Sequence, residues 1–347
     1  MVRQPVYGLA IIGCGNMGWS HANAAFESSR ARLIAAIDQK PELAYTLAEH
    51  YGAPLHASDY HAVLSRDDVQ VVVIATYPSS HREIAVACLQ AGKHVLLEKP
   101  VAHTLADAEA VIRAAVRYHR KLRIGYILRH NRTYQQAVKL VHSNALGLPL
   151  AMRMLGGEHI MTKADWQQDL ALLTDTSPVI DCGCHYVDIM RWLTGAEAVR
   201  VSGSGCRLDS RVPEGCYDYG AITITFSDGS SGLYEVGWTR AYRRFNEKEL
   251  VGPAGRLRII YADERSEHQE EGDLIELYQP PRKYRLFNIP AEFKPVGRQL
   301  NDLFDCIEQD QDIIPALQDA MRSLQIVLAG DQAIRTGASI RVKPWQH

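Results

Sequence analysis

Residues 7–18 read YGLAIIGCGNMG and are the most informative stretch of this 347-residue chain. The first six residues form a short apolar run, which is expected of a parallel strand that is buried on both faces. A GxGxxG turn follows at Gly13, Gly15 and Gly18, and the pattern of residues 19–29 predicts a helix. Such a turn alone is a weak signal, but between a buried strand and a helix it is typical of a dinucleotide-binding site.

Each glycine of this turn has its own physical role. Gly13 permits a tight turn, Gly15 lets the backbone approach a pyrophosphate, and Gly18 lets the helix pack closely on the strand. The helix that begins near Asn16 and Met17 offers backbone N–H groups and the positive end of its dipole to the phosphates. These five residues are therefore the predicted pyrophosphate site.

Asp38 is the residue from which the type of cofactor is predicted. It ends the second predicted strand, 20 residues after Gly18, where a carboxylate accepts hydrogen bonds from the ribose hydroxyls. A carboxylate repels a 2′-phosphate, and no arginine follows it directly, although Lys40 could weaken that repulsion. The sequence therefore predicts NAD as the cofactor, with NADP less favoured.

Strand and helix patterns alternate through the N-terminal part of the chain. The predicted strands cover residues 7–12, 32–37, 69–75, 94–97 and 122–126, and the predicted helices cover 19–29, 41–51, 81–91 and 105–119. This alternation implies parallel βαβ units. Residues 1–126 are therefore predicted to form a Rossmann domain with a doubly wound parallel sheet.

After about residue 127 the pattern changes, because strand-like runs now follow one another. They cover residues 150–155, 198–205, 221–226, 231–238, 248–252, 256–261 and 274–278. Several alternate apolar and polar residues, as AITITF at 221–226 does, which favours an antiparallel sheet with one covered face. Residues 127–347 are thus predicted to form an α+β domain with a large, mostly antiparallel sheet, in a chain of the α/β class.

Residues 181–194 are predicted to form a helix that ends at Gly195. Asp181 and His185 lie one turn apart on one face of it. Histidine titrates near neutral pH and can take a proton from a hydroxyl, while a neighbouring carboxylate can stabilise the imidazolium. By themselves, the two residues fit a capping aspartate and a core histidine at least as well.

The tripeptide Glu98-Lys99-Pro100 follows the fourth predicted strand, at the sheet edge where open α/β sheets bind ligands. A surface lysine at a strand exit is the alternative. Together with GCGNMG and with DCGCH at residues 181–185, the tripeptide makes the chain resemble the glucose–fructose oxidoreductase/inositol dehydrogenase/rhizopine-catabolism (Gfo/Idh/MocA) family. The resemblance extends to ATYP at 75–78 and AIRTG at 333–337, and so runs from end to end.

This resemblance implies roles for particular residues. Lys99, Asp181 and His185 would be catalytic: Lys99 would polarise the substrate oxygen, His185 would take its proton and Asp181 would orient it. The bond from the lysine to Pro100 is often cis in the family. Further cofactor contacts are implied at Thr76, Tyr77, Pro78, His81 and Glu98, and further substrate contacts at Arg129, His159, Trp166 and Tyr242.

One segment departs from the family pattern. Where the family has a glycine cluster before the acid and the histidine, this chain has Thr176-Ser177-Pro178. At this segment the substrate pocket is expected to differ in shape from that of the family.

The resemblance implies an NAD-dependent oxidoreductase that oxidises a secondary hydroxyl of a cyclic polyol or sugar by hydride transfer. An NAD-sensing regulator without catalysis is one alternative, but such proteins tend to lose the lysine or the histidine, and this chain keeps both. An NAD-dependent glycosidase is a second alternative. Reduction of a bilirubin-type or imine substrate is a third, which a mainly apolar pocket would favour.

Composition limits the partners and the compartment. The formal net charge of −2 is spread along the chain, so no nucleic-acid surface is predicted. No run approaches the roughly 18–20 apolar residues of a membrane span, and a strand pattern begins too early for a signal peptide. The seven cysteines form no CxxC pair, which favours reduced thiols, no metal site and a cytoplasmic protein. The family resemblance implies a homodimer or homotetramer assembled through the second sheet.

Overall fold

The computed structural model describes residues 5–158, 166–239, 245–262, 272–292, 294–343 and 345. The chain forms two compact units. The first comprises Met1–Ile127 and Pro295–Met321, and the second comprises Leu128–Lys294 and Arg322–His347. Both units are therefore discontinuous in sequence. The domain limits drawn from the sequence, 1–126 and 127–347, remain a prediction.

The first unit begins with alternating strands and helices. In chain order these are β1 Tyr7–Ile12, α1 Asn16–Glu27, β2 Ala31–Ile37, α2 Pro41–Tyr51, β3 Leu55–Ala57, α3 His61–Leu64, β4 Val71–Ile74, α4 Pro78–Gln90, β5 His94–Leu97, α5 Leu105–Arg117 and β6 Leu122–Ile124. A 3₁₀ helix, Ile127–His130, follows them.

The remaining elements continue in the same numbering. They are α6 Arg132–His142, β7 Ala151–Glu158, α7 Trp166–Asp175, α8 Pro178–Asp181, α9 Gly183–Thr194, β8 Ala198–Cys206, β9 Tyr219–Phe226, β10 Ser231–Trp238, β11 Phe245–Gly252, β12 Gly255–Ile260, β13 Asp273–Gln279, β14 Lys283–Ile289, α10 Val296–Glu308, α11 Ile314–Thr336 and β15 Ile340–Arg341. Within the described ranges, no helix combines the length and the apolar character that a membrane crossing needs.

The first sheet is parallel throughout. Among the described residues its six strands lie in the order β3-β2-β1-β4-β5-β6. This is the strand order of a dinucleotide-binding doubly wound sheet, so that prediction is confirmed. Since β1 and β4 are neighbours, with Ile12 beside Ile74, the strand order reverses between them. Ligands of such sheets bind at this reversal, outside the carboxyl ends of the strands.

Helix α10 completes the core of the first unit. Leu300, Leu303 and Phe304 belong to the same buried apolar cluster as Leu9 and Ile11 of β1. The Phe304 ring also stacks on the ring of Tyr7, with 4.8 Å between centroids. An apolar face of α10 thus covers β1 and α1, although its sequence lies far beyond the first six strands.

The second sheet is mostly antiparallel, as predicted. Among the described residues it has nine strands, in the order β14-β13-β12-β11-β7-β10-β9-β8-β15, and β7 and β10 pair in parallel. One side is buried, with Leu250, Leu257 and Leu277 in register. The other side carries exposed aromatic residues such as Tyr278 and Tyr284. Alternation along strands such as β9 and β12 therefore separates a covered face from an exposed one.

We expect acid to destabilise the first unit partly through His94. Its ring lies at the start of β5, where Nδ1 accepts a hydrogen bond from the Lys121 N–H at 2.9 Å. Burial, with the charges of Arg120 and Lys121 nearby, lowers the pKa of His94 from 6.5 to about 4. Because the folded state disfavours the added proton, this contribution is present above pH 6.5 and is lost as the pH falls towards 4.

Urea unfolding at a series of pH values tests this expectation. After allowance for the solvent that still reaches the ring, the loss attributable to His94 should be about 2 kcal/mol. His94→Gln should flatten that part of the pH dependence, whereas His56→Gln, at an exposed position of β3, should leave it unchanged. The same acid limb in wild type and His94→Gln would contradict the assignment.

Candidate functional site

The glycine turn fits a dinucleotide. Gly13 has φ +94°, and a Cβ there would lie 2.5 Å from the Ala75 carbonyl oxygen. A Cβ at Gly18 would lie 2.0 Å from the Gly13 carbonyl oxygen, so both positions require glycine. A Cβ at Gly15 would meet nothing within 4 Å, which leaves space for a phosphate to approach the backbone.

Helix α1 starts inside this turn. It begins at Asn16, as expected for the phosphate-binding helix and three residues before the helical pattern that starts at 19, with Gly15 as the N-cap and no side-chain cap. The first hydrogen bond across the cap runs from the Trp19 N–H to the Gly15 carbonyl oxygen, at 2.9 Å. The N–H groups in the first turn of a helix have no acceptor within the helix. The helix end is therefore suited to an anion.

Asp38 is fixed beside this turn. One carboxylate oxygen accepts the Cys14 N–H at 2.8 Å, and the other accepts the Lys40 N–H at 2.9 Å. The residue is half-exposed, and each carboxylate oxygen has a further lone pair for a hydroxyl donor. The backbone thus holds Asp38 in an orientation that a ribose could use.

The segment after β4 forms the start of α4. Tyr77 is the N-cap and Pro78 the first helical residue, so α4 begins three residues before the predicted helix at 81. The Ser80 hydroxyl donates to Thr76 Oγ1 at 2.8 Å, and 39% of Tyr77 is exposed. Thr76, Tyr77 and Pro78 therefore lie where β4 ends, and their cofactor contacts stay a prediction.

His81 has a different environment from these three residues. It is fully buried, with Nδ1 2.9 Å from the Pro100 carbonyl oxygen and Nε2 3.1 Å from the Thr76 carbonyl oxygen. Both partners are acceptors, so a neutral ring can donate to only one of them. His81 thus joins the loops after β4 and β5, while a direct cofactor contact remains a prediction.

Glu98, Lys99 and Pro100 follow β5 directly. The Lys99–Pro100 peptide bond is cis, and the Lys99 N–H lies 3.3 Å from Glu98 Oε2. Glu98 is only 5% exposed, and its Oε1 lies 2.7 Å from Nε2 of His21. Sequence reasoning missed His21, although its helical spacing from Gly18 places it on the buried face of α1.

The predicted helix over 181–194 is interrupted at its start. Asp181 closes the short helix α8, and α9 begins at Gly183, so the predicted bounds are wrong. Cys182 between them keeps helical dihedral angles of −77° and −34°, and the His185 N–H bonds to its carbonyl oxygen at 3.2 Å. Asp181 and His185 remain four residues apart along a nearly continuous helical path, and both are half-buried.

Two thiols contact Asp181. Cys184 Sγ lies 3.2 Å from the Asp181 carbonyl oxygen, and Cys182 Sγ lies 3.6 Å from its carboxylate. Thiols are weak donors, and it is the Cys182 thiol that contacts the carboxylate, whereas the Cys184 thiol contacts the main chain. Within the described residues, no group of three or more His, Cys, Asp or Glu side chains is arranged to hold a metal ion.

Arg129 is engaged by a residue that the sequence did not single out. Its Nε and one terminal nitrogen bond to the two carboxylate oxygens of Asp188, at 2.7 and 2.8 Å. Asp188 is 1% exposed, lies on α9 and also accepts the Ser323 hydroxyl at 3.0 Å. The arginine thus ties the segment before α6 to α9, and its predicted contact with a substrate hydroxyl stays a prediction.

Three further predicted substrate contacts carry less structural information. His159 and Tyr242 lie outside the described residues. Trp166 is the first residue of α7, and its side chain also lies outside the described part of the chain. All three remain predictions from the family resemblance alone.

Two protein-family models match the chain, one in each predicted domain. Residues 7–126 match the model described as "Oxidoreductase family, NAD-binding Rossmann fold". Residues 134–258 match the model of the GFO/IDH/MocA C-terminal domain. The two matched ranges cover the glycine turn, Lys99, Asp181 and His185.

Individual relatives agree with these matches. Inositol 2-dehydrogenase of Rubrobacter xylanophilus is 30% identical over 253 residues, which cover 72% of this chain and 70% of the relative. scyllo-Inositol 2-dehydrogenase (NAD(+)) of Bacillus subtilis is 24% identical over 341 residues, or 96% of this chain and 95% of the relative. The structure of aldose-aldose oxidoreductase from Caulobacter crescentus, complexed with glycerol, has a TM-score of 0.82 and 28% identity, and covers 97% of this chain and 100% of that one.

Proposed function

The chain belongs to the Gfo/Idh/MocA family of oxidoreductases, and on this basis we propose that it oxidises a secondary hydroxyl of a cyclic polyol or sugar. The proteins it resembles are named for inositols and aldoses. One structural observation carries the proposal: Lys99 follows β5 at the same sheet edge as the glycine turn that follows β1. Ligands of doubly wound sheets bind at that edge.

The first unit supplies the residues for a nicotinamide cofactor. The pyrophosphate would lie against the turn at Gly15 and the start of α1, with Asp38 towards a ribose. A bound nicotinamide would supply the acceptor for the hydride of the carbinol carbon. The residues after β4 and β5, from Thr76 to Pro78 and Glu98 to Lys99, are proposed to line the remainder of this site.

The chain's own side chains are proposed to move the proton. Neutral His185 accepts the proton of the reacting hydroxyl, since an imidazole works as a base near neutral pH. The Lys99 ammonium stabilises the negative charge that develops on that oxygen. Asp181 accepts a hydrogen bond from the same or a neighbouring hydroxyl and so orients the ring. Reduction in the reverse direction would use the same groups with the proton moving back.

We propose NAD as the preferred cofactor. The Asp38 carboxylate is held by two backbone N–H groups, so it has no freedom to turn away from the phosphate of an NADP ribose. Removing this charge should therefore change the preference between NAD and NADP. It should change the affinity for the pyrophosphate, which both cofactors share, much less.

Asp38→Ala is expected to reduce the ratio of kcat/KM with NAD to that with NADP by about five- to thirtyfold. The estimate follows from repulsion of about 1 kcal/mol per pair of like charges 4 Å apart in water. Asp38→Asn is the matched variant that keeps the size of the side chain and removes its charge. Its amide oxygen can still accept one of the two backbone N–H hydrogen bonds. An unchanged ratio in both variants would show that Asp38 does not read the ribose.

We further propose that the exposed side of the second sheet assembles the protein into a homodimer or homotetramer. On that side Tyr278 faces Tyr284 and Glu276 faces Leu286, so apolar and charged side chains are interleaved. Tyr284 and Leu286 are 54% and 56% exposed, so both side chains are available to a second copy of the chain. Light scattering on purified protein tests this, and a monomeric mass at working concentration would contradict it.

A cytoplasmic location is also proposed. All seven cysteines carry free thiols, and Cys14, Cys88, Cys184 and Cys306 are buried. Burial raises the pKa of both Cys14 and Cys88 to about 12, so these two thiols stay protonated and unreactive. Free thiols are typical of a reducing compartment, and cell fractionation that placed the protein elsewhere would contradict the proposal.

The proposed activity is tested with purified protein, NAD or NADP, and a panel of inositols, aldoses and glycosides. Formation of NADH is followed by its absorbance. Oxidation of at least one polyol or sugar is expected, and no reaction across the panel even at alkaline pH would contradict the proposal. Cleavage of a glycoside without net NADH would point instead to the glycosidase alternative.

A further inference from the structure

His21 and Glu98 form a buried pair in the first unit. His21 is fully buried and Glu98 is 5% exposed, and 2.7 Å separates Nε2 from Oε1. The short distance is typical of a hydrogen bond to a charged carboxylate. Nδ1 of His21 has no partner among the described residues. The ring is therefore directed at one group, Glu98.

Glu98 is confined on its other sides as well. Its second oxygen, Oε2, lies 3.3 Å from the Lys99 N–H. A Cβ at Gly125, directly after β6, would lie 2.6 Å from the same oxygen and 3.0 Å from the Glu98 Cα. Glycine at 125 thus leaves the space that the Glu98 carboxylate occupies, which any larger residue at that position would take.

We propose that His21 is a positioning residue that, by holding the Glu98 carboxylate, fixes the backbone of Lys99 at the reacting centre. This rests on the role proposed above for Lys99. The chain of contacts runs from the His21 ring to Oε1, through the carboxyl group to Oε2, and on to the Lys99 N–H. His21 touches neither substrate nor cofactor in this arrangement and acts through Glu98 alone.

The pair also links the lysine to the cofactor turn. His21 lies on α1, five residues after the helix begins at Asn16, and the rise of 1.5 Å per residue makes this a short, rigid path. The helix whose first turn would receive the pyrophosphate therefore also holds the support of Lys99. A rigid support of this kind keeps a reacting group within the small tolerance that turnover requires.

Stability alone does not account for such a pair. Two apolar side chains of similar volume would fill the space without the cost of removing a carboxylate from water. The pair has a second role, because the hydrogen bonds of Glu98 determine where the backbone of Lys99 lies. The two roles make opposite predictions for a variant in which both side chains become apolar.

Three variants separate these roles. His21→Gln keeps an N–H donor for Glu98 and should retain most of the turnover. His21→Leu alone removes the histidine partner of a buried carboxylate and should be poorly folded. His21→Leu combined with Glu98→Met removes the carboxylate too, and should recover the thermal midpoint while kcat stays about 10- to 100-fold low, as expected for a misplaced lysine.

A second readout keeps the test separate from the proposed activity. The rate at which an acylating reagent labels the Lys99 amine, followed by mass spectrometry, reports its surroundings without any substrate. We expect this rate to change in the double variant and to stay near wild type in His21→Gln and in the control His94→Leu, at a half-buried histidine near the other end of β5. NAD affinity should stay near the wild-type value in His21→Gln and in His94→Leu.

The proposal is overturned if the folded double variant has the wild-type labelling rate and turnover, or if His21→Gln behaves as the double variant does. If the panel finds no substrate, the proposed activity fails, but the labelling rates still decide whether His21 positions Lys99. If a substrate is found and the labelling rates do not differ, only the role of His21 fails.

Discussion

Lys99→Ala is expected to lower kcat/KM for the oxidised polyol by about two to four orders of magnitude, the usual contribution of a positioned acid or base. The reason is that Lys99 is the cation in the segment EKPVA directly after β5, so its removal leaves no charge there to stabilise the developing oxyanion. Initial rates of NADH formation give kcat and KM, and protein fluorescence titrated with NAD gives the cofactor affinity.

Lys139→Ala is the matched control, because Lys139 is an exposed lysine on α6. It should have wild-type kinetics. A Lys99→Ala variant that retains more than about a tenth of wild-type kcat/KM would remove Lys99 from the catalytic role, since even a modest general acid contributes more than that. A variant that lost NAD binding but kept kcat would make Lys99 a cofactor ligand only.

His185→Ala is expected to cost a similar factor in kcat, about two to four orders of magnitude, with NAD affinity largely unchanged. The histidine lies in the second unit, whereas the glycine turn and Asp38 lie in the first. Loss of the base should also remove the fall in kcat on the acid side of neutrality, where an imidazole becomes protonated. The pH profile of kcat, measured with saturating substrate, separates this effect from a loss of stability.

His142→Ala serves as the control, since His142 is an exposed histidine of the same unit. It should keep both kcat and the shape of the pH profile. If His185→Ala keeps a wild-type profile with a full acid limb, another group is the base. If its kcat is unchanged as well, the proposed proton path is wrong.

The parts of the fold that sequence predicted well are those where a local pattern has a single physical reading. The predicted bounds of β1, β5 and α2 are those observed. The two strands are short apolar runs that are buried on both faces, and α2 has a proline at its start and Gly52 at its end. Each of these patterns has one structural interpretation. Strand β3 was missed because it has only three residues, with its middle histidine exposed. Strand β14 was missed because almost all of it is exposed.

The site divides in the same way. The glycine turn, Asp38 and Lys99 were predicted because each depends on a few consecutive residues next to a strand. The partners of two other predicted residues, Glu98 and Arg129, were not predicted, since His21 lies 77 residues from Glu98 and Asp188 lies 59 from Arg129. Pairs at such distances are formed by the folded chain, and a single sequence gives no signal that joins them.

The position of α10 in the chain has a consequence for how the protein is made. Leu300, Leu303 and Phe304 complete the core around β1, yet they leave the ribosome after the whole of β7–β14. The nascent first unit therefore keeps an uncovered apolar face while about 170 further residues are synthesised, roughly 10 to 30 seconds at ordinary elongation rates. During that interval the apolar face around β1 lacks the helix that covers it in the folded protein, so the order of translation becomes part of its folding problem.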